Sequence, residues 1–147
     1  MGGTNDTTIE VPSRNIYRWM NGTVGPDPTP AVGMIAHVVL FEPKAGTTVA
    51  DRDAFLEVMR VTCNEIPSVK RSFIGIRQVL GVSYEERLGD KPYTYASVVE
   101  FDDMNGLHEY LNHPLHVKVG QLFWQHCERT MIVDVDCFWV NNKEVNN

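Results

Sequence analysis

The stretch YLNHPLHVKVG, Tyr110 to Gly120, carries a tyrosine six residues before the second of two histidines. Imidazole exchanges a proton near neutral pH, and a phenol can donate a hydrogen bond to an oxygen on which charge is developing. Together they suit proton abstraction next to a carbonyl. The same stretch also offers metal ligands, because His113 and His116 with Glu109 or Asp103 supply enough nitrogen and oxygen donors for zinc or a harder ion. Pro114 argues against that use. A HExxH-type site needs both histidines on one face of an unbroken helix, and the proline interrupts it. No bound metal is expected.

Pro114 suits the first position of a helix, and it pushes the residue before it out of the α region. His113 is therefore placed at a joint, with its ring bonded to nearby backbone. His116 falls in the first turn of the new helix, near free backbone N–H groups whose positive charge disfavours imidazolium. It is predicted to be a neutral base. A further histidine, His37, lies in the apolar run MIAHVVLF, where it is either a satisfied core residue or a cavity wall. Tyr110 needs a partner for its hydroxyl if it is buried. Cys63, Cys127 and Cys137 are odd in number and widely spaced, which fits neither a disulfide framework nor a zinc site. They read as small apolar residues. The segment LGVSYEERLGDKP lacks phosphate-loop spacing, and Arg77 reads as a solvated strand charge.

The elements that would hold these groups can be read from periodicity. Met34 to Phe41 is a short β-branched run and reads as a buried strand. In VADRDAFLEVMRVTCNEI, Phe55, Val58, Met59, Thr62, Cys63 and Ile66 share one helix face, and Pro67 stops the helix. Val69 to Val82 reads as a second strand, in which Gly75 predicts a bulge or a close backbone approach. A charged connector leads to a third strand, Tyr93 to Phe101. Asp102 or Asp103 can cap the helix MNGLHEYLN, whose inner face is Leu107, Tyr110 and Leu111. A helix from Pro114 to about Cys127 and a strand from Arg129 to Val140 complete the series. The order β-α-β-β-α-α-β is that of a ferredoxin-like α+β unit, with helices on one face of an antiparallel sheet. In the last strand Met131, Val133, Val135 and Trp139 alternate with Ile132, Phe138 and Val140, so both faces are apolar. Pairing of two sheets in a homodimer would cover the open one.

The 147 residues fit one domain with a sizeable core. Residues 1–33 read as a partly flexible N-terminal extension, 34–140 as the domain and 141–147 as a polar tail. Ile16, Tyr17, Trp19 and Met20 form an apolar island in the extension, read either as part of a loose arm or as a docked segment. A formal charge of −6 argues against a nucleic-acid partner. No apolar run approaches the roughly 20 residues needed to span a membrane, and the N-terminus lacks the pattern of a secretory signal. A cytoplasmic protein is expected.

HVVLF in the first strand, SVVEFDD at the end of the third, and YLNHPLHVKVG followed by a strand bearing Asp134 together resemble the stress-responsive A/B barrel (Dabb) family. The resemblance spans about Met34 to Asp136. It implies a ferredoxin-like protomer that pairs into a dimeric α+β barrel. Most such proteins have no known activity, while a few are cofactor-free enzymes: plant polyketide cyclases and cyanohydrin lyases. By resemblance to the cyclases, His116 and Tyr110 would be the catalytic pair and His37 would line the pocket. Tyr95 stands where a third-strand histidine is found in the cyclases, and Met59 where a first-helix tyrosine is found. His37, Tyr95 and Met59 are thus the implied binding residues, and a small carbonyl or aromatic compound the implied ligand. The expected function is lyase or cyclase chemistry by acid/base catalysis without metal or organic cofactor. The alternatives are a non-catalytic, stress-associated binding or assembly protein and a cofactor-independent monooxygenase.

Overall fold

The computed structural model describes residues 31–88 and 93–138. The Tyr17–Trp19 island, Trp139, Val140 and the polar tail lie outside them. Gly33–Cys137 cluster into one compact unit, and the second unit, Met1–Val32 with Phe138–Asn147, lies almost wholly outside the described residues. The elements in chain order are β1 (Ala31–Pro43), α1 (Val49–Glu65), β2 (Arg71–Ile76), a 3-10 turn (Ser83–Leu88), β3 (Tyr95–Phe101), α2 (Met104–Asn112), α3 (Pro114–His126) and β4 (Cys127–Phe138). The four strands form one antiparallel sheet in the order β2-β3-β1-β4. This is the expected ferredoxin-like α+β arrangement. Among the described residues, no helix is long and apolar enough to cross a membrane.

Local chemistry explains where the helices start. Thr48 and Asp51 form a capping box at the head of α1: the Asp51 N–H donates to Thr48 Oγ1 at 3.1 Å, and the Thr48 N–H donates to the Asp51 carboxylate at 3.4 Å. Of the two candidate caps for α2, Asp103 is used, accepting from the Gly106 N–H at 2.9 Å. Gly106 packs closely here, since a Cβ there would meet Phe101 Cβ at 3.3 Å.

The apolar face read for α1 is the one that faces the sheet. Phe55, Met59, Thr62 and Ile66 are buried, with Val58 and Cys63 partly so. They contribute to two clusters. One joins Val39, Phe41, Phe55, Met59, Tyr95 and Val119, and the other joins Ile35, Ile66, Val99, Phe101, Leu107 and Tyr110. Each fully buried large side chain stabilises the fold by about 1.5–3 kcal/mol.

The β2 region departs from the sequence reading. The strand ends at Ile76, six residues earlier than expected, and its register with β3 runs unbroken from Arg71↔Glu100 to Ile76↔Tyr95. Gly75 therefore marks no bulge, and nothing lies within 4 Å of a Cβ built there. The chain turns away because the Glu85 carboxylate accepts from the Leu80 and Gly81 N–H groups, at 2.6 and 2.8 Å, with Gly81 at φ +71°. The apolar run Val79–Val82 is thus drawn into a turn and does not extend the ladder.

Candidate functional site

The register of β1 against β3 pairs His37 with Val99, Val39 with Ser97 and Phe41 with Tyr95. His37 and Val39 face the helix layer, as does Ser97. With α1, α2, α3 and β4 they line a cavity of about 230 Å³ that is open to solvent on one side. Its wall includes His37, Met59, Ser97, Tyr110, His116 and Asp134.

Each polar side chain is held by its element. His113 closes α2 and opens α3 with φ −69° and ψ 137°, and its Nδ1 accepts from the Leu115 N–H at 3.2 Å. It is the joint that Pro114 predicts. Tyr110, one turn before the joint, is buried. Burial pushes its phenol well above the ordinary tyrosine range, so it remains a hydrogen-bond donor through neutral and moderately alkaline pH. His116, just after the joint, donates Nδ1–H to the Leu111 carbonyl, with 3.2 Å between heavy atoms. A carbonyl can only accept, so the lone pair of neutral His116 is on Nε2.

The His116 pKa is lowered, as the sequence suggests, but for a different reason. Burial is the largest cause and nearby His37 adds to it, while the Leu111 carbonyl acts in the opposite sense. The helix-start argument gives the right direction, but burial and His37 are what lower the value.

His37 lines the cavity, and sequence reasoning missed its partner. Its Nδ1 lies 2.6 Å from Asp134 Oδ1 on β4. A carboxylate accepts, so His37 donates through Nδ1, and in the neutral ring the lone pair is on Nε2. The His37 ring centroid is 5.7 Å from that of Tyr110 and 6.2 Å from that of His116, and Tyr110 and His116 are 4.4 Å apart. Two imidazoles with matching tautomers therefore flank one phenol. Such a group can remove a proton, return it, and donate a hydrogen bond to an oxygen between these steps.

Met59 is in the cavity wall, but Tyr95 is not. Tyr95 is buried two residues along β3, where its ring stacks on Phe41 with centroids 5.2 Å apart. The residue that β3 presents to the cavity is Ser97. Strand alternation places both on one face, and the level of His37 in the sheet decides between them. Asp134, Ile132 and Thr130, all in the wall, fall on one face by the same alternation, which places them together but does not single out Asp134 from Asp136 on that face. The cysteines take no part. Burial pushes the Cys127 thiol up to about 11 and raises Cys63 and Cys137 as well. Among the described residues, no three His, Cys, Asp or Glu side chains are grouped to hold a metal ion.

Comparison with known proteins gives concordant findings. The Stress responsive A/B Barrel Domain (Dabb) matches residues 35–137. Olivetolic acid cyclase from Cannabis sativa is 26% identical over 100 residues, covering 68% of this chain and 93% of the cyclase. Among solved structures, the hydroxynitrile lyase of Passiflora edulis is similar with a TM-score of 0.62 and 15% identity, over 75% of this chain and 96% of the lyase. A dimeric protein with a ferredoxin-like fold from Bacteroides fragilis is similar with a TM-score of 0.54 and 20% identity, over 74% of this chain and 100% of that one. At such identities the structural likeness shows the fold.

Proposed function

The chain belongs to the stress responsive A/B barrel domain family, and from that membership we propose that it is a homodimeric enzyme of the lyase or cyclase class. It would act on a carbonyl compound by acid/base chemistry that calls for no metal or organic cofactor. One observation carries the reading: Tyr110 and His116 lie 4.4 Å apart and share with the His37–Asp134 pair a cavity of about 230 Å³. A purely assembling protein would have no use for a polar cluster opening on a void.

In the proposed chemistry His116 Nε2 takes a proton and Tyr110 donates its hydroxyl hydrogen bond to the substrate oxygen. For a cyanohydrin, the proton comes from the hydroxyl, the C–C bond to the nitrile breaks, and the leaving cyanide receives the proton. For a polyketide, the proton comes from carbon next to a carbonyl, the enolate carbon forms a new C–C bond to a second carbonyl as that C=O π bond opens, and the resulting alkoxide takes the proton back from His116. His37, its tautomer set by Asp134, orients the substrate. The similarity to olivetolic acid cyclase supports the cyclase branch, while the likeness to the hydroxynitrile lyase brings the lyase branch in by fold analogy. The oxygenase reading has fold analogy alone behind it.

The homodimer is supported by the sheet face opposite the helices. Phe73, Met131 and Val133 project there and are 53%, 47% and 47% exposed, a large apolar patch for a lone protomer. Similar structures are described as dimeric. A screen of β-keto thioesters, polyketide mimics and cyanohydrins with wild type, His116→Ala and Tyr110→Phe tests the proposal. Each substitution should cost about 10²–10⁴ in rate. Equal turnover by wild type and His116→Ala would remove His116 from the mechanism.

A further inference from the structure

Proton transfer alone does not account for the composition of the cavity wall. Among its described residues there is no lysine and no arginine, and the formal charge in the wall is the carboxylate of Asp134. An anionic group entering here would face that carboxylate with no fixed cation to pair with, and an unpaired charge is costly to bury. Burial also disfavours a cation on His116. Met59, Val119 and Phe123 are apolar, and the further polar side chains of the wall, Ser97, Thr130, His37 and Tyr110, include no lysine or arginine.

The mouth has its own character. Trp124 on α3 and Ile132 on β4 both line the cavity, yet they are 72% and 50% exposed, so they stand where it meets solvent. A flat indole surface at an entrance suits a flat, apolar guest.

Volume sets the size. An apolar cavity of about 150 Å³ holds benzene, or about 25 Å³ per non-hydrogen atom. On that scale the 230 Å³ here holds about nine such atoms.

We infer that the ligand of this site is a neutral ketone of about nine non-hydrogen atoms, entering past Trp124 and Ile132, and that carboxylates of the same size are rejected. The carbonyl rests on the acid/base proposal above; the neutrality and size come from the wall itself. Acetophenone and benzoate match in size and flatness and differ in charge, which makes them the probes.

The experiment is a titration of the ¹⁵N-labelled full chain at about pH 8, where imidazole is ordinarily neutral, following the Trp124 indole N–H, identified by its loss in Trp124→Leu. Acetophenone should shift that signal and saturate, with benzoate at least about tenfold weaker. Trp124→Leu should weaken acetophenone several-fold, read from the Tyr110 and Gly120 signals. Benzoate binding as well as acetophenone, or neither ligand shifting these signals at millimolar concentration, would overturn the inference. The two proposals fail separately. His116-dependent turnover in a protein that prefers benzoate would leave the acid/base reading intact and remove this one. Selective acetophenone binding with no turnover of any carbonyl compound would do the reverse.

Discussion

Replacing Asp134 with asparagine changes one atom and removes the charge that sets the His37 tautomer. The contact is short, 2.6 Å, and joins a histidine side chain 6% exposed to a carboxylate 42% exposed. A hydrogen bond to a charged group contributes about 1.5–3 kcal/mol. The carboxylate is open enough to water for screening to move the value toward or below the lower end, about 1–2 kcal/mol. In a domain of about 100 residues, that is a fall of roughly 5–10 °C in melting temperature. The chemical effect is separate. The asparagine amide can donate as well as accept, so His37 is free to adopt the opposite tautomer, with hydrogen on Nε2 and the lone pair turned away from its present use. Imidazole ¹⁵N shifts report the tautomer directly, and thermal melts report the stability. Wild type should show His37 protonated on Nδ1, and Asp134→Asn should show a mixed or reversed population with a lower melting point. An unchanged tautomer together with a melting point within about 1 °C of wild type would refute the argument that this bond fixes the ring.

Because burial lowers the His116 pKa, the basic form accumulates as pH rises through a value below the ordinary histidine pKa of about 6.5. With a substrate in hand, kcat/KM should rise on the acid side and be level by neutrality. The raised phenol of Tyr110 should prevent any decline near the ordinary tyrosine pKa of about 10; an inflection there would count against Tyr110 as donor. His113→Ala removes the cap on the Leu115 N–H and should cost about 0.5–2 kcal/mol in a denaturant titration while changing kcat far less than His116→Ala does. Light scattering should give twice the chain mass for wild type, and Val133→Asp on the open sheet face should shift the mass toward one chain; a wild-type monomer at micromolar concentration would contradict the dimer.

The fold was legible in the sequence because its signals are local and agree with one another. Phe55, Met59, Thr62 and Ile66 repeat at helical spacing and are buried together, and Pro67 and Pro114 mark boundaries through backbone sterics alone. The second strand was overextended because Val79, Leu80 and Val82 look like strand residues, while Glu85 draws that stretch into a turn through side-chain hydrogen bonds. Periodicity does not register such bonds. The site was half legible. Tyr110, His113 and His116 lie within seven residues, where two helix ends and the Pro114 joint between them fix their relation. His37 and Asp134 are 97 residues apart, and their contact depends on strand order, which no local pattern encodes. Tyr95 and Ser97 differ only in their level along β3, and that is decided by register with β1.

His113 ends one helix and begins the next with no spacer between them. Tyr110 and His116 therefore ride on a single stiff elbow, while His37 and Asp134 are built into the sheet. The site works like a pair of calipers: each jaw is rigid, and the gap between them is the adjustable quantity. That gap is set by Leu107, packed with Ile35 and Val99, and by Val119, packed with Val39 and Phe41. None of these side chains carries out a chemical step. Exchanges of size among them would open or close the jaws without disturbing either jaw's internal geometry, which is a route by which one set of reactive groups can be refitted to differently shaped guests.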